Sequence, residues 1–178
     1  MATARPARYK RAMQTTSFPR LVLSVIAIVS GGALATAFVA QYGFDLWPCL
    51  LCYQQRIPYL IAFVFACLAL APGVDPMVRR HVVFLCVLLF AGNTALAFFH
   101  AGVEYKWWPG LDACGGALRD LNVSDLAAAL SKPAPPGCDE AAIRVFGLSM
   151  AGGNVIVCGA MTAFCLWAAL QKPRWATP

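Results

Sequence analysis

Four long stretches almost free of charge limit this chain to very few folds. Positions 21–40 hold no charged side chain, and as a helix their 20 residues span about 30 Å, the thickness of a bilayer's hydrocarbon core. Positions 53–71 carry only Arg56, 82–101 carry only whatever proton His100 holds, and 145–171 carry no charge. Only helices and closed barrels satisfy their backbone polar groups in lipid, and runs of this length select helices. With 60% hydrophobic and 12% charged residues, against about 25% charged in soluble domains, the 178-residue chain reads as all-α and integral to a membrane. The expected fold is a four-transmembrane-helix bundle in one membrane domain, 1–178, with outer loops at 41–52 and 102–144.

Charge gives the orientation. Arg5, Arg8, Lys10, Arg11 and Arg20 precede the first span, Arg79 and Arg80 fall in the turn between the second and third, and Lys172 and Arg174 follow the fourth. Basic loops mark the cytoplasmic side, so both termini are expected there. The opposite side is acidic on balance, with Asp45, Glu104, Asp112, Asp120, Asp125, Asp139 and Glu140 against Lys106, Arg119, Lys132 and Arg144. The net charge of +6 is therefore a topology signal. No aromatic residues interleave with the basic run as a nucleic-acid surface requires, so no nucleic-acid partner is expected. Ala33, Ala35 and Ala37 resemble a signal-cleavage site, but the apolar run is longer than the usual signal core of about 7 to 15 residues, so the first span is read as retained.

Topology divides the eight cysteines. Cys67, Cys86, Cys158 and Cys165 fall inside spans, where a thiol behaves as a small hydrophobe, and are expected to be packing residues. Cys49, Cys52, Cys114 and Cys138 fall on the outer side, where an even number points to disulfides. Zinc is a competing use for four cysteines, although a structural zinc site normally has two close pairs and Cys114 and Cys138 are 24 residues apart. A purely structural staple of the outer loop is another.

Cys49 and Cys52 form a C-x-x-C pair where the second span begins, and their surroundings favour redox chemistry. Pro48 fits the first turn of a helix, which puts both thiols near unpaired backbone N–H groups that stabilise a thiolate. Arg56 stands four residues after Cys52, on the same helix face, and its permanent charge can hold a thiolate or a carbonyl oxygen gaining electron density. In the outer loop Gly115 and Gly116 follow Cys114, and the Pro-rich 132–137 precedes Cys138, so this segment is expected to move and to face a partner. Positions 118–130 carry a weak pattern for a short amphipathic surface helix.

The run Cys49-Leu50-Leu51-Cys52-Tyr53-Gln54-Gln55-Arg56 resembles the P-C-x-L-C-x-x-Q-R type motif of the DsbB family of bacterial disulfide bond formation proteins. The similarity extends to His100-Ala101-Gly102-Val103-Glu104, to Cys114 and Cys138, and to Gly147-Leu148-Ser149-Met150-Ala151, in order along nearly the whole chain after the first span. The resemblance implies a multi-pass enzyme of the bacterial inner membrane, with its redox cysteines in the periplasm. Such an enzyme reoxidises a periplasmic DsbA-like protein of thioredoxin fold and passes the electrons to ubiquinone or menaquinone. It further implies that Cys114 forms the mixed disulfide with that partner and that Cys138 is its disulfide mate. Cys49 would exchange with Cys138, while Cys52 contacts the quinone with Arg56 and His100 beside it.

Redox potentials show why an acceptor is needed. A thioredoxin-like dithiol near −270 mV faces a DsbA-like partner near −120 mV across roughly 150 mV, or about 7 kcal/mol uphill. Either the pair's own potential is raised or a high-potential acceptor drains it. A stapled scaffold would instead bind no quinone and would lose stability on reduction. A vitamin K epoxide reductase-like enzyme would carry its C-x-x-C on the last span, after the loop cysteines, which is the reverse of the order here.

Overall fold

The computed structural model describes residues 5–111, 137–145 and 147–175. Four helices make the bundle: α1 (Arg5–Gly43), α2 (Leu50–Leu70), α3 (Pro76–Glu104) and α4 (Met150–Leu170). All four are long and apolar enough to cross a membrane, with Phe18–Gly43 as the relevant part of α1. Leu60, Leu68, Leu88, Phe98, Ile156 and Leu170 are exposed on the outside of the bundle, an apolar surface that lipid covers.

Lipid is as apolar as leucine, so packing rather than water exclusion must hold such helices together. Ala62, Ala66 and Ala69 put small side chains on the buried face of α2 and let its neighbours approach closely. At the end of the bundle away from the C-x-x-C pair, Leu23, Ile26, Val83, Cys86, Phe90, Cys165 and Ala168 close into one apolar core. A 3-10 turn at Lys172–Arg174 then folds Trp175 into it, where its indole N–H donates to the Ala168 carbonyl at 2.8 Å. Phe18 meets Trp175 edge-on with ring centroids 5.8 Å apart. Around the bundle α1 packs on α2, α2 on α3 and, most extensively, α3 on α4, whereas α1 and α4 scarcely touch. That leaves a seam between the first and last helices.

Several sequence expectations need correction. The third span begins at Pro76, not 82, because Asp75 caps it by accepting from the Met77 N–H at 2.7 Å. Arg79 and Arg80 are therefore on the helix and not in the preceding turn. Their guanidinium groups donate to the Ala71 carbonyl (3.2 Å) and the Ala169 carbonyl (2.9 Å) at the ends of α2 and α4, the carbonyls that helix termini leave unpaired. The fourth span begins at Met150, not 145. Before it, β1 (Arg144–Val145) pairs antiparallel with β2 (Leu148–Ser149), and Gly147 takes a φ of +81° that favours glycine. Ser149 ends this hairpin and caps α4, accepting from the Gly152 N–H at 3.1 Å. Cys86, Cys158 and Cys165 are buried as expected, but Cys67 is exposed on the apolar exterior and packs in no core. Cys114, its flanking glycines and the expected helix at 118–130 lie outside the described residues.

Candidate active site

The helix start and the C-x-x-C pair are one structure. Cys49 is the N-cap of α2, with extended backbone (φ −71°, ψ 172°), and its sulfur accepts from the Cys52 N–H at 3.4 Å. Pro48 thus stands just before the cap and not in the first turn. The Cys52 sulfur is 3.0 Å from that of Cys49, and the Nε2 of His100, reaching across from α3, is 3.6 Å from it. These contacts hold the Cys49 thiol well below the ordinary thiol range. The Cys52 hydrogen bond contributes most, burial opposes it, and His100 and the Cys52 backbone add to it.

Cys138 is disulfide-bonded and shares one small buried cluster with Cys49, Leu51 and Val103. The segment that carries it is tied to the end of α3, where the Lys106 ammonium donates to the Asp139 carboxylate at 2.6 Å and to the Asp139 carbonyl at 3.1 Å. Trp108 packs against the same cluster, stacking on Phe99 and donating its indole N–H to the Phe99 carbonyl at 2.9 Å. A Cβ on Gly102 would overlap the Trp108 ring, so glycine is needed here for a close approach.

Arg56 is anchored to α1. It donates to the Gln41 side-chain oxygen at 2.6 Å and to the Ala37 carbonyl at 3.5 Å, with Tyr53 and Phe38 rings 5.1 and 5.5 Å from its guanidinium carbon. Among the described residues these bonds use two of its five donors, and the others can meet a further acceptor. The structure brings Cys49, Cys52, Arg56 and His100 to one cleft of about 440 Å³ in the seam between α1 and α4. Its α1 wall is apolar apart from Thr36, with Val29, Ala33, Leu34 and Ala37, while the cysteine end is polar. Glu104 lines that polar end with its Oε1 3.8 Å from His100 Nε2, and its Oε2 is buried with no partner among the described residues. An apolar trough ending in convergent polar groups fits a lipid-soluble molecule with a carbonyl-bearing head.

A buried polar chain lies behind the site, and sequence reasoning missed it. Asn154 on α4 joins α2 at two points: it accepts from the Tyr59 hydroxyl at 2.6 Å and donates to the Gln55 side-chain oxygen at 2.6 Å. The Gln55 amide nitrogen in turn lies 2.9 Å from His100 Nδ1. Asn93 on α3 donates to the Gln55 backbone carbonyl at 3.1 Å and to the Cys158 sulfur at 3.3 Å. The available signal was the presence of Asn93 and Asn154 inside apolar spans, where an unpaired amide is costly. As for metals, Cys49, Cys52 and His100 present ligand atoms within 4.8 Å of one another. The sulfurs, 3.0 Å apart, are closer than the roughly 3.8 Å that two thiolates keep around one tetrahedral zinc ion.

The family model described as disulfide bond formation protein DsbB matches residues 19–168, which takes in nearly all of the four spans and the residues of this site. The chain belongs to the DsbB family. An uncharacterized protein of Rickettsia prowazekii (strain Madrid E) is similar to it, at 26% identity over 140 residues, covering 77% of this chain and 78% of the relative. No solved structure matches. Membership in the DsbB family makes this membrane bundle an oxidoreductase of disulfide bond formation.

Proposed function

We propose that the protein reoxidises a periplasmic DsbA-like thiol oxidase by dithiol–disulfide exchange and delivers the electrons to a membrane quinone, ubiquinone or menaquinone. The observation that carries this reading is the burial of Cys49 in one cluster with the disulfide-bonded Cys138, while Cys52 lines the adjoining cleft. One sulfur thus lies between a loop disulfide and a site for an apolar acceptor.

The exchange steps balance in sulfur. A thiolate of the reduced partner attacks Cys114, breaking a Cys114–Cys138 disulfide and releasing Cys138 as thiolate. Cys138 then attacks Cys49 of an oxidised Cys49–Cys52 pair, forming Cys49–Cys138 and releasing Cys52 as thiolate. The partner's second thiol resolves the mixed disulfide and leaves oxidised. Cys114 then attacks Cys138, restoring the loop disulfide and expelling Cys49. A quinone bound in the cleft would supply the oxidant: Cys49 and Cys52 give up two electrons and two protons to it as their disulfide re-forms. Arg56 would hold an oxygen that gains negative charge, and Cys52, which lines the same cleft, would be the sulfur beside it. Cys49 leaves readily because its thiolate is stabilised where it stands. The basic residues at the end away from the cysteines support a cytoplasmic location for both termini and a periplasmic one for the site.

The test is quinone reduction by the purified protein with a reduced DsbA-like donor. Wild-type protein should consume quinone and oxidise the donor one for one. Cys52→Ser should abolish turnover while its thermal unfolding stays within a few degrees of wild type. Folded, quinone-supplied wild-type protein that reduces none would defeat the proposal.

A further inference from the structure

The polar chain behind the cysteines has a direction, and that direction has a chemical consequence at Cys49. Tyr59 can supply only one proton, and it sits 2.6 Å from Asn154 Oδ1. This turns the Asn154 amide nitrogen toward Gln55 Oε1, which must then be an acceptor. The Gln55 amide nitrogen consequently faces His100 Nδ1 as a donor. Cys158 favours the same sense: its sulfur accepts from Asn93 and lies 3.0 Å from the Tyr59 hydroxyl and 3.3 Å from Asn154 Oδ1. With both amides reversed, the Tyr59 and Cys158 protons would have only each other's atoms as acceptors, and one of them would be left unpaired in this group.

We propose that Tyr59, Asn154 and Gln55 are positioning residues that lock His100 in the tautomer with its proton on Nε2, so that His100 is a hydrogen-bond donor to the Cys49 thiolate and not a base toward its thiol. An Nδ1 that accepts from Gln55 cannot itself carry a proton, and the neutral ring must then hold it on Nε2, 3.6 Å from the Cys49 sulfur. In a cleft where burial works against every thiolate, a fixed donor is worth more than a mobile one. The inference adds to the proposed reaction, in which Cys49 is twice a thiolate or leaving group, but its tautomer claim stands apart from any quinone or partner. The other titratable or charged groups around this pair are Cys52 and Arg56 on α2, Glu104 on α3, and Glu140 in the segment with Cys138; neither α1 nor α4 contributes one to the cleft wall, and Cys158 of α4 meets Tyr59 instead.

The experiment is nitrogen NMR of histidine-labelled full-length protein, reduced, in detergent micelles at pH 8, with alkylation of Cys49 followed against pH. The chain has two histidines, and a His81→Asn variant assigns the signals. Wild type should show His100 with Nε2 protonated and Nδ1 bare. Asn154→Leu should mix the tautomers and move the Cys49 alkylation midpoint up by about one pH unit, roughly a tenfold loss of thiolate below it. Gln55→Glu, near-isosteric and able to keep the Asn154 bond, should place a proton on Nδ1, a reversal that a merely structural residue would not produce. A wild-type ring protonated on Nδ1, or an Asn154→Leu protein with unchanged spectrum and midpoint, would overturn the proposal. If Asn154→Leu does not fold, the wild-type and Gln55→Glu spectra decide. Loss of turnover in a variant whose tautomer is unchanged counts against the relay, and an intact relay in a protein without quinone reductase activity counts only against the proposed reaction.

Discussion

The two ends of the bundle use the same four helices for opposite purposes. Away from the C-x-x-C pair, Leu23, Ile26, Phe90, Cys86 and Cys165 share one hydrophobic core, and Trp175 is buried with them. Near it, Gln55, Asn93, His100, Glu104 and Ser149 are buried polar or charged side chains, and a cleft replaces close packing. Thiols show the contrast most directly. Cys86 and Cys49 are both buried, yet Cys86 sits in the apolar cluster while Cys49 accepts from the Cys52 N–H and has the Cys52 sulfur and His100 Nε2 beside it. Burial alone makes a thiol inert, and burial with aimed donors makes it a reagent.

Damage to the apolar end should therefore cost stability and spare chemistry. Leu23→Ala removes a fully buried side chain of this core, and should destabilise the protein by about 2 to 5 kcal/mol in denaturant titration. Cys49 alkylation below the unfolding transition should stay within about twofold of wild type. A large change in alkylation would mean that the two ends are not separable.

The second contrast is between the thiols themselves. With its range depressed, Cys49 should alkylate in the reduced protein at nearly the same rate at pH 6 as at pH 8. An unperturbed thiol near 8.5 falls almost a hundredfold over that interval, and Cys86 should not react at all in the folded protein. Mass spectrometry of alkylated peptides across pH checks both, and a Cys49 rate that falls with pH as an ordinary thiol's does would remove the distinction. The smallest effect belongs to the surface clamp on the Cys138 segment. Lys106→Ala breaks an exposed ion pair and should change global stability by no more than about 1 kcal/mol. Its sharper readout is the rate of exchange between Cys138 and Cys49, which should slow as the segment loses its tether.

Hydropathy made the four spans legible because an uncharged run of 20 residues has few other uses. It misplaced the starts of α3 and α4 because those depend on local bonds. Arg79 and Arg80 can enter a helix where the Ala71 and Ala169 carbonyls receive them, and Gly147 turns a hairpin where hydropathy continues unbroken. At the candidate site, the residues with distinctive chemistry, Cys49, Cys52, Arg56 and His100, could be named from the sequence. Gln55, Tyr59 and Asn154 could not, because their bonds join separate helices and depend on how α2, α3 and α4 rotate about their axes. Cys67 was misjudged for the same reason: position in a span does not say which way a residue faces.

The weak contact between α1 and α4 sets the kind of supply on which the cleft depends. A molecule entering that seam from the bilayer would come sideways, and its effective concentration would be a mole fraction among lipids. Partition coefficient, tail length and the size of the membrane pool would then govern occupancy, and a head group too polar to dissolve in lipid would not compete at any aqueous dose.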